Sequence, residues 1–154
     1  MKLRIISVGH KMPGWVTDAC AEYIKRMPRE LQLDIIEIKP DKRSDIKSEA
    51  VQEAEAKRIL EAAGKDFLVA CDEHGQEVTT MQLADKLKSW QNLGKDVSII
   101  VGGADGLHPN LKLRADWLWS LSRLTLPHAF VRVLLCEQLY RAHTVIQGHP
   151  YHRE

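Results

Sequence analysis

Short apolar runs alternate along this chain with longer stretches in which apolar residues recur every three or four positions. Residues 3–8 form a β-branched apolar run closed by Gly9, which predicts a strand. Pro13 and Gly14 mark a turn, after which Trp15, Val16, Cys20, Tyr23, Ile24 and Met27 recur at helical spacing as far as Pro28. Leu33, Ile35, Ile36 and Ile38 give a second strand over residues 31–38, and Pro40, Asp41 and Ser44 exclude regular structure in the charged stretch that follows. Ser44 or Asp45 is placed to cap a helix running to Ala63, with Gly64 as its left-handed stop. Glu53 and Lys57 stand one turn apart on its wet outer face.

The second half repeats the alternation. Residues 67–71 predict a third strand, and residues 72–78, containing Gly75, a loop. Thr79 or Thr80 opens a helix that ends near Gly94. Residues 97–101 give a fourth buried strand, followed at once by Gly102-Gly103-Ala104-Asp105-Gly106. A short helix or turn is expected after Pro109, a fifth strand over residues 117–121, and a last helix, started by Pro127, from about 129 to 146. There is no internal repeat or low-complexity linker, so residues 1–154 are expected to form one domain.

Strands that alternate with helices predict an α/β fold, a mostly parallel sheet with helices on both faces. Such sheets bind ligands beyond the carboxyl ends of their strands. Three loops qualify: those after Cys71, Val101 and Leu121. The glycines at 102, 103 and 106 permit positive φ and close ligand approach, although a plain tight turn explains them as readily. They are not the dinucleotide fingerprint, because Ala104 and Leu107 stand where glycines are needed, and no phosphate-loop Lys-Ser/Thr follows. In Ser122-Arg123-Leu124-Thr125-Leu126-Pro127, the proline forces Leu126 out of the helical region. That segment then offers free main-chain donors and acceptors able to read an adenine, or serves as an ordinary strand-to-helix connection.

Composition narrows the class. The 44% hydrophobic content suits a globular core, and no apolar run approaches the roughly 20 residues needed to cross a bilayer. The apolar run after Lys2 is too short for a signal peptide, so a cytoplasmic protein without membrane contact is expected. Cys20, Cys71 and Cys136 are odd in number and lack a C-x-x-C pair, which supports neither disulfides nor structural zinc. The net charge of +1 gives no ground for nucleic-acid binding by charge alone. His128, His143, His149 and His152 match no zinc spacing, so no metal is expected. Trp117 and Trp119 alternate on a strand, which suggests that one of them faces the core.

Two features of the chain's end stand out. The last helix is apolar almost all round in its first half, through Phe130, Val131, Val133, Leu134, Leu135 and Cys136. This fits burial on two sides, against its own core and a second subunit, or a central place in a monomer. Beyond it, Gly148-His149-Pro150-Tyr151-His152-Arg153-Glu154 concentrates rings and a guanidinium where chains usually fray.

With these segments in view, the chain resembles the ribosomal large-subunit methyltransferase H family, small SPOUT-class enzymes. The resemblance rests on Ile100-Val101-Gly102-Gly103-Ala104-Asp105-Gly106-Leu107, Ser120-Leu121-Ser122, Leu124-Thr125-Leu126-Pro127-His128, Val131-Arg132-Val133-Leu134, Glu137-Gln138-Leu139-Tyr140-Arg141-Ala142 and His149-Pro150-Tyr151-His152-Arg153. It extends to Val8-Gly9 and Lys11-Met12-Pro13 at the start. It implies a C-terminal trefoil knot, an exception to the usual topology rules. It also implies a homodimer, S-adenosylmethionine as cofactor, and N3-methylation of a pseudouridine in a 23S rRNA stem-loop within the assembled ribosome. By position, the cofactor is expected at Cys71, Gly103, Ser122, Arg123, Leu124, Thr125, Leu126 and Pro127. Cys71 stands where relatives often carry leucine, and Ala104-Asp105 replaces a Pro-acidic pair.

Methyl transfer from a sulfonium needs alignment and loss of the N3 proton. The expected catalytic set is Arg153 to stabilise negative charge or hold phosphate, His152 or His128 to orient or accept the proton, and Tyr151 to stack on a base. In a dimer these tails complete the neighbour's pocket. The alternatives are a non-enzymatic ribosome-binding factor, and an enzyme for a small phosphorylated metabolite that uses residues 102–106 as an anion nest.

Overall fold

Five strands and the helices between them follow the predicted order in the structure, a computed structural model that describes residues 1–9, 12–40, 49–102 and 106–153. They are β1 (Lys2–Val8), α1 (Gly14–Ile24), β2 (Gln32–Ile38), α2 (Glu49–Ala63), β3 (Phe67–Glu77), α3 (Thr80–Leu93), β4 (Val97–Val101), α4 (Pro109–Arg114), β5 (Trp117–Ser120) and α5 (His128–Gln147). A 3-10 turn, Pro150–Arg153, follows α5. The strands form one sheet in the order β2-β1-β4-β3-β5, and every pairing is parallel.

Alternate strand residues feed two separate cores, as a two-sided sheet requires. Leu3, Ile5, Val69, Val97, Ile99 and Val101 pack on one face with α1, α3 and α5. Ile6, Val8, Leu68, Ala70 and Ile100 pack on the other with α2 and α4. β4 is buried along its whole length, which explains its uninterrupted apolar run.

Local signals set the helix ends. Thr79 and Gln82 form a reciprocal capping box at the start of α3, and Gly94 ends that helix at φ 68°. Gly64 follows α2 at φ 56°, as predicted. The expected caps of α2, Ser44 and Asp45, lie outside the described residues.

Two expectations need correction. Residues 72–77 are strand rather than loop: after an irregularity between Cys71 and Gln76, β3 pairs with β5 again, Gln76 opposite Trp119 and Glu77 opposite Ser120. Gly75 permits this, because a Cβ there would lie 2.7 Å from the backbone of Leu118 and Trp119. The Trp117 indole N–H also donates to Gln76 Oε1 at 2.8 Å. Secondly, Trp117 and Trp119 both face the core, stacked with centroids 5.2 Å apart at 12°. Residues two apart on a strand share a face, so neither ring is offered to a base.

Candidate active site

The carboxyl ends of β3, β4 and β5 are neighbours in the sheet, so their loops converge. They surround a cavity of about 870 Å³, within the usual size of a small-molecule site. Its walls include Cys71, Val101, Gly102, Gly106, Leu107, Trp119, residues 120–127, His128 and Val131. Of the residues expected to hold a cofactor, Cys71 and Ser122, Arg123, Leu124, Thr125, Leu126 and Pro127 all line it. Gly103 lies outside the described residues.

Gly106 has φ 78°, and a Cβ on Gly102 would meet Gly106 and Leu107 at 3.0 Å. After β5, the Ser120 hydroxyl donates to the Ser122 carbonyl at 3.2 Å, and the Leu124 N–H donates to Ser122 Oγ at 2.9 Å. Among the described residues, the amides of Arg123, Thr125 and Leu126 make no turn or loop backbone hydrogen bond. Pro127 is extended at ψ 148° and opens α5. The segment therefore carries main-chain groups available to a ligand, as its proline predicts.

Side chains complete the electrostatics. Burial pushes the Cys71 thiol up to about 12, so it stands in the cavity as a neutral, weakly polar wall rather than a nucleophile. The Arg123 side chain is 89% exposed and turned to Glu77, with Nε 2.9 Å from Oε1. Asp72 is held 3.0 Å from Lys112, and both line the cavity with Glu73 and His74. The sequence reading missed these four. Asp72, Glu73 and His74 follow Cys71 directly, and their place just after the predicted strand 67–71 was the available signal.

The expected catalytic residues divide into two groups. His128 opens α5 at the cavity wall, whereas Tyr151, His152 and Arg153 follow the far end of the same helix and do not line the cavity. α5 has 20 residues, which makes it about 30 Å long. One chain therefore does not assemble His128 and its own tail into a single cluster.

Two other polar groups lie outside the cavity. Arg132, 2% exposed, donates from Nη1 to Glu37 Oε1 at 2.8 Å, and its Nε and Nη2 find no acceptor among the described residues. Glu49, Glu53 and His108 bring ligand-type atoms within 4.8 Å of one another. However, His108 Nδ1 accepts the Asn110 N–H at 3.1 Å, which puts the neutral ring's proton on Nε2 and leaves that edge a donor. No helix of the described residues is long and apolar enough to cross a membrane.

The family model described as "Predicted SPOUT methyltransferase" matches residues 1–152. Over 155 residues the chain is 72% identical to Ribosomal RNA large subunit methyltransferase H of Methylobacillus flagellatus, covering 100% of each. The chain belongs to the ribosomal RNA large subunit methyltransferase H family of SPOUT methyltransferases. A second member, from Paraburkholderia xenovorans, is 57% identical over 155 residues and 99% of each chain. Among solved structures, a probable methylase family protein from Haemophilus influenzae superposes with a TM-score of 0.59 at 18% identity. The match covers 97% of this chain and 69% of that one, and supports the fold.

Proposed function

We propose that this methyltransferase moves a methyl group from S-adenosylmethionine to N3 of a pseudouridine in a 23S rRNA stem-loop of the assembled ribosome. The observation that carries the reading is the cavity formed by β3, β4, β5 and the loops that follow them, with the main chain of residues 122–127, apolar side chains and the Asp72–Lys112 pair in its walls. The RNA class follows the names of the full-length relatives. The cavity residues fit the cofactor: the amides at Thr125 and Leu126, which make no backbone hydrogen bond among the described residues, suit an adenine edge, and Leu121 and Leu107 suit its apolar faces. Bound there, the cofactor supplies a methyl group on a positively charged sulfur. We read the three loops as part of the trefoil-knotted region characteristic of the family.

The chain's own residues must then place the acceptor and remove the N3 proton. His128 at the cavity wall is one proton acceptor in reach of the site. Arg153 and His152 are the groups that stabilise or accept charge at the ring, and Tyr151 anchors the turn that carries them. Because α5 separates them from their own cavity by about 30 Å, they serve a neighbour's. We therefore read the enzyme as a homodimer. In support, Phe130 and Trp15 are 55% and 50% exposed, with ring centroids 5.4 Å apart beside His128, leaving an apolar face that a second copy would cover. Burying such side chains contributes about 1.5–3 kcal/mol each. With ribosomes as its substrate, we read the enzyme as cytoplasmic.

The test is transfer of labelled methyl from S-adenosylmethionine to purified ribosomes, followed by mass mapping of 23S rRNA nucleosides. The expected product is a single N3-methylated pseudouridine, lost when residues 151–154 are deleted while cofactor affinity stays. Absence of cofactor binding in calorimetry would instead support a non-enzymatic ribosome-binding factor.

A further inference from the structure

The tail is docked against the body of the protein by a cluster that no step above uses. Gly148 ends α5 at φ 68°, the His149 N–H donates to the Thr144 carbonyl at 2.9 Å, and the Tyr151 N–H donates to His149 Nδ1 at 3.1 Å. These bonds turn the chain back on α5. The Tyr151 ring then meets Tyr140 edge-on, centroids 4.8 Å apart at 60°, with the Arg141 guanidinium 4.9 Å from its centre. Its hydroxyl donates to Glu137 Oε2 at 3.4 Å. Burial, then contact with Tyr23 and Glu137, holds that hydroxyl well above the usual phenol range, so it remains a neutral donor.

Arg26, just beyond α1, joins this cluster from the other side. Its guanidinium carbon lies 5.4 Å from the Tyr23 centroid, 5.6 Å from Tyr140 and 5.9 Å from Tyr151. Glu22 fixes its orientation by accepting from Nε at 3.2 Å and Nη2 at 2.6 Å. Neutralising Glu22 is not the reason for an arginine here, because Lys25 already pairs with that carboxylate at 2.7 Å. What Arg26 adds is one flat cation shared by rings from α1, α5 and the tail. The 3-10 turn has only four residues, too few to hold its own shape, so the orientation of His152 and Arg153 is inherited from how Tyr151 is docked.

We propose that Arg26 is a positioning residue: by clamping Tyr151 against α1 and α5, it fixes the place from which His152 and Arg153 meet the acceptor. This rests on the reading that the tail presents the acceptor ring.

The experiment uses the full chain with Arg26→Ala, Arg26→Lys and Glu22→Gln, and the deletion of residues 151–154 as reference. Three quantities are measured: release of the last residues by carboxypeptidase, kcat and KM for methyl transfer to purified ribosomes, and cofactor affinity by calorimetry. Arg26→Ala is expected to release the tail about tenfold faster, since the tail's open fraction governs cleavage. It should lower kcat/KM by about 10–100-fold, mainly through kcat, as misplacement of a reacting group does. Cofactor affinity should stay within about twofold, because Arg26 is not part of the cavity wall. Arg26→Lys should recover part of the loss, and Glu22→Gln should show a smaller loss of the same kind; these two carry the test if Arg26→Ala does not fold. Unchanged kcat/KM, or a loss of activity with the tail still protected, overturns the proposal. If deleting the tail leaves methyl transfer intact, the reading of the tail itself fails; if deletion abolishes transfer and Arg26→Ala does not, only the role of Arg26 fails.

Discussion

Gly75→Ala should damage both stability and the cavity, and the reason can be worked from one distance. The new Cβ would sit 2.7 Å from Leu118 C and Trp119 N and 2.8 Å from Leu118 O, where ordinary contact begins near 3.4 Å. All three neighbours are backbone of β5, so no side chain can swing aside. β3 and β5 must separate by several tenths of an ångström where their pairing resumes at Gln76 and Trp119. Overpacking of this kind costs about 1–3 kcal/mol. In a domain of this size each kcal/mol moves the melting temperature by about 2–4 °C, so a fall of about 2–12 °C is expected. The strain has a functional consequence because Cys71 lies just before the irregularity and residues 120–122 continue from β5, and all of them line the cavity. Cofactor affinity should therefore fall as well. Differential scanning calorimetry and isothermal titration measure the two effects, with Gly14→Ala as control, since a Cβ there meets nothing within 4 Å. A Gly75→Ala protein that melts with the wild type and binds cofactor equally well would refute the reasoning.

Further outcomes follow from other sites. Arg132→Met should leave stability unchanged or raise it by about 1–4 kcal/mol in urea unfolding, because it removes a buried guanidinium with two nitrogens unpaired among the described residues; Glu37 is half-exposed and can rehydrate. Thr79→Ala breaks the capping box of α3 and should cost about 0.5–2 kcal/mol in the same assay. Cys71 is a thiol whose folded pKa is raised from 9.0 to about 12, so the folded state favours its protonated form. Its contribution to stability is complete below pH 9.0 and is lost as pH rises toward about 12. Thermal melts should therefore show less alkaline destabilisation in Cys71→Ser, and the wild-type thiol should react slowly with iodoacetamide near neutral pH.

The strands were legible because each is a short apolar run bounded by glycine, proline or charge, and residues 97–101 are buried on both sides. The three binding loops were legible for the same reason: a parallel sheet exposes the carboxyl ends of its strands, and Gly102, Gly106 and Pro127 mark those ends. The continuation of β3 through Glu77 was not legible. Gly75 in a polar stretch has the composition of a loop, and only the approach of β5 to within 2.7 Å of the missing Cβ shows why a glycine in a strand is needed. Nor could the sequence show that Asp72 and Lys112 share the cavity, since that depends on how distant segments pack. The aromatic character of the tail was visible, whereas its docking partner Arg26 comes from a segment with no motif of its own.

The most direct test of a shared site is complementation between two inactive chains. One lacks residues 151–154 and keeps an intact cavity; the other carries Gly102→Val, which blocks the cavity at a position where even a Cβ meets Leu107 at 3.0 Å, and keeps its tail. Each should be inactive alone. Co-expressed, they should form mixed dimers with one complete site apiece, restoring about a quarter of wild-type methyl transfer under random pairing. Mixed dimers that form and remain inactive would contradict the account, because the tail would then not act on its neighbour's cavity.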